Sequence, residues 1–250
     1  MNKRYKAGII VSRIDFGAAE LLEVRLAIEL TKLGLEIFLF PQYSEKKFKD
    51  SKYEERIKNY NIKLIRLNFD RPIKGVSNIL KIRSLNLDFI ISHNRGGDIL
   101  ASFISIYKKT KHIKAFHEYY NNITKFSFIN SLWKISLKLS DFTYHITSYV
   151  LKKNIETFKL NKNKSIVIDN AIEFKATNTP FSLDRFSIPQ NKKIILTIAR
   201  VVEYKGYKNN LDILIPILKR REDTIYVFAG DNSQDLLFFN KMNERIRKNN

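Results

Sequence analysis

The chain has 250 residues with 45 Lys and Arg against 25 Asp and Glu, a net charge of +20, and 44% hydrophobic residues, which excludes a disordered chain and admits one large domain or two small ones. It contains no cysteine, so a disulfide framework, a thiolate metal site and a cysteine nucleophile are ruled out, and a reducing compartment fits. No apolar run reaches the ~18 residues of a membrane span, and the amino-terminal MNKRYKAGIIV is too poor in apolar residues for a secretory signal, so a cytoplasmic location is expected.

In chain order, Lys6 to Val11 reads as a first strand, followed by the loop SRIDFG and a helix from Gly17-Ala18-Ala19-Glu20 to Leu33. Leu22, Leu26, Leu30 and Leu33 form its apolar stripe. Glu20 and Glu23 suit the positive end of its dipole, and Gly34 closes it. Leu35 to Phe40 is a second strand, stopped by Pro41. The G-x-G-x-x-G spacing of a nicotinamide site is missing from this Rossmann-like opening. YSEKKFKDSKYEERIKNY is a surface helix or connector, Ile62 to Leu67 a third strand and Gly75 to Leu85 a helix.

Leu87 to Ser92 is a fourth strand running into His93-Asn94-Arg95-Gly96-Gly97, with a helix over Asp98 to Lys108. Ile113 to Phe116 is a fifth strand, ending at His117-Glu118. The helix Phe126 to Leu139 is amphipathic and basic and carries the only tryptophan, Trp133. A packing helix with lysines in water is the favoured reading there, an anionic membrane surface the alternative. Phe142 to Thr147 is a sixth strand, Ser148 caps a helix to about Lys159, and Ser165 to Ile168 is a seventh strand. Alternation of strand and helix predicts a parallel α/β sheet over residues 1–175.

The stretch 176–190, with Pro180 and Pro189, reads as a linker, and a second unit occupies 191–250. There the buried strand Ile194 to Ala199 ends at Arg200, and Lys205-Gly206 follows. The helix LDILIPILKRR, the strand TIYVFAGD and a helix from Ser233 to Lys248 complete a β-α-β-α pattern.

In parallel sheets, ligands lie outside the carboxyl ends of the strands. His93, His117, Glu118, Arg200 and Lys205 all fall there. His117-Glu118 suits proton transfer at a hydroxyl, while a lone histidine at a strand end is more often structural. His145 reads as a core or edge residue and His112 as a solvated loop residue. Arg200 offers a planar fork and Lys205 a point charge to phosphate oxygens, and Gly206 permits close backbone approach. Against this, both are cations among 45. Gly17-Ala18-Ala19 either cradles an anion on free N–H groups or makes a tight turn. Without H-x-x-x-H, cysteine or D-x-D, no metal is expected, and no cofactor motif is present. The lysines form no single stripe and no recognised nucleic-acid module occurs, so no nucleic-acid partner is expected.

Taken together and in order, five segments resemble the retaining glycosyltransferases of family 4 (glycosyl transferases group 1). FGAAELLEVRLAIELTKLGLEIFLF is similar to the family's GGAE helix and following strand. LDFIISHNRGGDILASF resembles D-I-I-H-x-H-N, and IKAFHEYY the strand ending in His-Asp or His-Glu. SDFTYHITSYVLKKNI and SIVIDNAIEF look like A-D-x-I-I-x-x-S-x-x-x-K and V-I-P-N-G-I-D. ILTIARVVEYKGYKNNLDILIPIL with IYVFAGD resembles I-L-x-V-G-R-L-x-x-x-K-G and L-x-I-A-G-D-G. The resemblance implies a two-domain GT-B fold, with a Rossmann-like amino-terminal acceptor domain and the start of a second Rossmann-like domain that binds a nucleoside diphosphate sugar as co-substrate. It implies that Arg200, Lys205, Gly206, Gly17 and Ala18 face the donor and that His117 lies by the transferred sugar. The amino-terminal domain, with His93, Asn94 and Glu118 as its candidates, would hold a glycan or lipid-linked acceptor. The reaction would retain configuration without a metal ion, in cell-surface polysaccharide synthesis, on the inner face of the membrane.

The sequence departs from the family at Ala18, Ala171 and Ala199, each in place of glycine, and by lacking any E-x7-E pair. The expectation is therefore a chain truncated in its second domain with a half-built donor site. The rival readings are a non-catalytic partner subunit that keeps the acceptor domain and, more remotely, a basic nucleic-acid-binding protein.

Overall fold

The structure is a computed structural model that describes residues 4–12, 14, 18–43, 52–67, 69, 79–120, 127–171, 186 and 188–249. The chain divides into two compact units, 1–173 and 174–250. Gly17 and most of the expected linker lie outside the described residues.

Unit 1 is built on β1 (Lys6–Val11), α1 (Ala18–Lys32), β2 (Glu36–Pro41), α2 (Lys52–Asn59), β3 (Lys63–Leu64), a helical stretch over 79–84 (α3), β4 (Phe89–Ser92), α4 (Arg95–Lys108), β5 (Lys111–Phe116), α5 (Phe128–Leu139), β6 (Phe142–His145), α6 (Ser148–Phe158) and β7 (Ser165–Val167). Its seven strands are ordered β3-β2-β1-β4-β5-β6-β7, and every described pair is parallel. Helices cover both faces, so the central strands are near-continuous apolar runs. From β1, Ile9 and Val11 join one core with Val24, Ala27 and Ile28 of α1. Ile10 points the other way, into a core with Phe40, Ile90, Leu100 and Ile104. Gly8 is required by this packing: a Cβ there would lie 2.6 Å from the Phe40 ring and 2.8 Å from Leu87. The strand order reverses between β1 and β4, which places a ligand crevice at their carboxyl ends.

Several elements differ from expectation. α4 starts at Arg95, three residues early, because the Asn94 side chain caps it by accepting from Gly97 N at 2.8 Å. Thr147, not Ser148, caps α6, accepting from Val150 N. α1 buries Glu23, Val24, Ala27 and Ile28, whereas Leu33 is 75% exposed, so the stripe is rotated from the leucine positions.

Unit 2 holds β8 (Lys193–Ile198), α7 (Tyr207–Leu218), β9 (Thr224–Ala229) and α8 (Leu236–Arg247). β8 and β9 pair in parallel as a two-stranded sheet. Val201, Tyr207, Leu211, Phe238 and Met242 make its core. β8 was expected to be buried, but Leu196 is 53% and Ile198 76% exposed. With two strands, the sheet leaves much of β8 uncovered.

Candidate active site

In unit 1, β4, β5 and β6 end side by side, with Ser92 level with Lys114 and Phe116 level with His145. The residues that end or follow them are His93, His117 and His145, so three histidines line one carboxyl edge. His93 Nδ1 and His117 Nε2 are 2.8 Å apart, and the rings are nearly parallel with centroids separated by 5.1 Å. That separation is little more than the bond plus two ring radii, so the rings meet end to end. Glu23 Oε1, from α1, lies 3.5 Å from the same His93 Nδ1, and both side chains are buried.

These three groups lie within 4.8 Å of one another and offer ligand atoms of metal-binding type. The facing lone-pair directions make the histidine pair a hydrogen bond, and an ion would require the rings to part. One proton is shared between the facing nitrogens. The Glu23 carboxylate favours a proton on His93 Nδ1. The alternative would seal an N–H at His93 Nε2, which is buried without a partner, and a buried orphan donor is the costlier defect. His93 therefore donates, and His117 accepts at Nε2 and carries its own proton on Nδ1.

Burial, then the neighbouring His117 and Lys114, hold His93 well below the usual histidine range. Burial and then Lys114 bring His117 to about 4. Both rings are neutral at pH 7.

Beneath them lies a buried ion pair: Lys114 Nζ is 3.0 Å from Asp98 Oδ2, both fully buried. Trp133 Nε1–H donates to the same oxygen at 2.6 Å, and Ser92 Oγ donates to Oδ1 at 2.6 Å. His112 was expected in a solvated loop. It is instead fully buried in β5, between Ser92 Oγ at 2.8 Å and Ser102 Oγ at 3.0 Å. Burial brings it to about 4 against the opposing pull of Asp98. His145 is buried as expected, stacked on Phe116 at 4.7 Å.

Asn94 spends its Oδ1 on the α4 cap, and its amide N–H groups make no hydrogen bond among the described residues. Glu118 is exposed beside His117, and its backbone carbonyl accepts from the buried Asn154 side chain at 3.1 Å. Ala18 opens α1.

In unit 2, Arg200 follows β8, and a single 3₁₀ turn over Glu203–Lys205 leads to Gly206. Gly206 adopts φ 80°, a left-handed conformation that joins this turn to α7 and suits glycine. The Arg200 guanidinium donates to Gln234 Oε1 and to Tyr204 Oη, each at 2.7 Å. Lys205 Nζ sits over the Tyr204 ring, 5.4 Å from its centroid. Tyr204 thus brings the two cations together on an exposed surface. Gly230 follows β9 so close to this turn that a Cβ would fall 1.7 Å from Ala199 O.

Sequence reasoning missed Glu23, Asp98, Lys114, Tyr204 and Gln234. A carboxylate on the apolar side of α1 and a lysine inside a strand were the available signals. Tyr204 and Gln234 had none, because their role depends on where the Arg200 side chain lies.

A doubly wound parallel sheet followed by a β-α-β unit with cations at the strand end defines an α/β fold of GT-B type. Comparison with solved structures agrees. A glycosyltransferase from Rickettsia africae ESF-5 matches with TM-score 0.76 at 20% identity, over 98% of this chain and 65% of that one. Anabaena Alr3699/HepE, in complex with UDP and glucose, matches with TM-score 0.71 at 14% identity, over 98% and 67%. The lipopolysaccharide outer core galactosyltransferase WaaB matches with TM-score 0.64 at 16% identity, over 98% and 65%. The likeness is one of fold, and the chain spans about two thirds of these structures' length. No family model matches the sequence, and no curated protein matches it.

Proposed function

We propose that the chain is a glycosyltransferase that moves a sugar from a nucleoside diphosphate sugar to a glycan or lipid-linked acceptor in cell-surface polysaccharide synthesis. The observation that carries this reading is the Arg200–Tyr204–Lys205 cluster at the end of β8. Among the described residues Arg200 makes no ion pair within 4.0 Å; its two partners are neutral, so its charge remains available to a diphosphate. Arg200 and Lys205 stabilise the leaving diphosphate without a metal ion. Gly206 permits close backbone approach beside these two cations, and the family resemblance assigns Gly17 and Ala18 to the donor as well. His117 offers its Nδ1–H to an oxygen of the transferred sugar, and His93, Asn94 and Glu118 belong to the acceptor side. Retention of configuration and a cytoplasmic location at the inner face of the membrane belong to the same proposal, on the strength of the family resemblance.

Isothermal titration of the chain with UDP, UDP-glucose, ADP and GDP tests it. Saturable binding of at least one nucleoside diphosphate, lost in R200A/K205A, is expected. Failure of all of them to bind would refute the reading. A non-catalytic subunit that binds acceptor is the rival, and turnover of any nucleotide sugar excludes it.

A further inference from the structure

The outward surface of unit 1 carries a feature that sugar transfer does not use. On α5, Phe128, Ile135 and Leu139 follow helical spacing and lie on one stripe, exposed to 76%, 53% and 47%. They are not the face that packs inward, which presents Trp133, Ser136 and Leu137. Ser102 Oγ lies 3.0 Å from Ser136 O, so the second half of α4 lies beside the second half of α5. There α4 exposes Phe103, Ile106 and Tyr107 at 45%, 63% and 58%. Isolated exposed apolar residues are ordinary, but three on one helical stripe beside a second helix that exposes three more, with Arg83 over the Tyr107 ring, mark an interaction surface.

An independent observation adjoins it. Lys138, on the flank of the stripe, also lines a cavity of 180 Å³ with Lys159 and Lys164, and with Ser140, Thr143 and Asn161. None of the three lysines has an ion pair among the described residues. The nearby Asp141 is hydrogen-bonded by Lys111 Nζ at 2.8 Å and by His112 N–H at 2.9 Å, and feels the Lys164 charge without pairing with it. α5 itself contains no acidic residue, and Lys134 and Lys138 are both exposed. A phosphorylated small molecule would use the cavity but leave the stripe bare, and a nucleic acid would likewise have no use for the aliphatic side chains. A bilayer with anionic headgroups matches both features at once.

We propose that this face docks on an anionic phospholipid bilayer, with Phe128, Ile135 and Leu139 at the acyl boundary and a lipid phosphate held by Lys138, Lys159 and Lys164. It deepens the membrane part of the proposed function. Lipid binding is measured without donor or acceptor, so it and sugar transfer can fail separately.

The test is co-sedimentation of the full chain with vesicles of phosphatidylcholine alone and with about one third phosphatidylglycerol. Strong binding to the second and weak binding to the first is expected. K138Q/K159Q/K164Q should weaken it about a hundredfold, at about fivefold per lysine. I135S/L139S, at exposed positions, should weaken it about tenfold or more while circular dichroism stays unchanged. Equal binding to both vesicles, binding to neither, or indifference to both variants overturns the proposal. So does inorganic phosphate binding in the cavity without vesicle binding, which would make it a free-anion site. Light scattering that shows a dimer dissolved by I135S/L139S would assign the stripe to a second copy instead.

Discussion

The substitution Asp98→Asn isolates the ion pair beneath the histidines. Asp98 and Lys114 are both fully buried, with 3.0 Å between Oδ2 and Nζ. The asparagine amide would keep an acceptor for Trp133 or Ser92 but leave the Lys114 ammonium, which has no hydrogen-bond acceptor among the described residues, against the Phe116 ring, 5.0 Å from its centroid. Removing one partner of a buried pair costs about 3–5 kcal/mol, because the other charge is left desolvated. With a urea slope of about 2 kcal/mol/M, the midpoint should fall by about 2 M. Removing both charges in D98N/K114M should restore most of this, to within about 2 kcal/mol of wild type, since a neutral pair carries no such penalty. Trp133 is the only tryptophan, so its fluorescence follows unit 1 alone. A fall of less than about 0.5 M in D98N, or a double variant no more stable than D98N, would refute the argument.

Three further outcomes are expected. All four histidines titrate below their ordinary value, His112, His117 and His145 at about 4. Between that value and about 6.5 the unfolded chain binds more protons, so stability should fall as pH drops through this window, by a few kcal/mol per ring as an order of magnitude. Urea midpoints that do not change from pH 7 to about 4.5 would contradict it. In G230A the new Cβ meets Ala199 O at 1.7 Å, whereas in G34A nothing lies within 4 Å and only the φ of 89° is strained. G230A should therefore collapse amide protection in β8 and β9, and G34A should cost about 1 kcal/mol. In nitrogen-15 spectra His117 should be the neutral Nδ1–H tautomer at pH 7, retained in H93N and lost in H93L. An Nε2–H tautomer in the wild type would reverse the assigned direction of the His93 bond.

The strands were legible because both faces of a parallel sheet are buried, so Ala7–Val11 and Ile37–Phe40 are uninterrupted apolar runs. His93 and His117 could be placed at the sheet edge because a parallel strand has one ligand end. Their partner could not. Glu23 reads as a dipole residue when α1 is phased on its leucines, and only the observed rotation of the helix turns it toward His93. His112 was misjudged because the polar Lys111-His112 start resembles a loop, while Ser92 and Ser102 come from distant positions to meet its ring nitrogens. β8 was misjudged in the opposite direction: an apolar run marks a strand but does not supply the neighbours that cover it.

The net charge of +20 leaves selection and compositional drift undecided, but the neighbours of each cation distinguish them. Lys193 pairs with Asp223, Lys111 with Asp141 and Arg245 with Asp212. Such exposed pairs contribute little to stability and leave little field to attract an anion. Lys114 is neutralised by Asp98 in the interior, where burial first and the Lys114 charge second hold His117 uncharged. Arg200 differs from these, being aimed by an amide oxygen and a phenol. Asp231 lies near enough to feel its charge but is hydrogen-bonded by Ser233 instead. A guanidinium fixed in direction by neutral groups loses conformational freedom without losing charge, the combination that anion recognition requires. The three lysines of the α5 cavity share only the second half of this criterion, pairing with no carboxylate among the described residues. Preorganisation without neutralisation separates Arg200 from the many cations that composition alone accounts for.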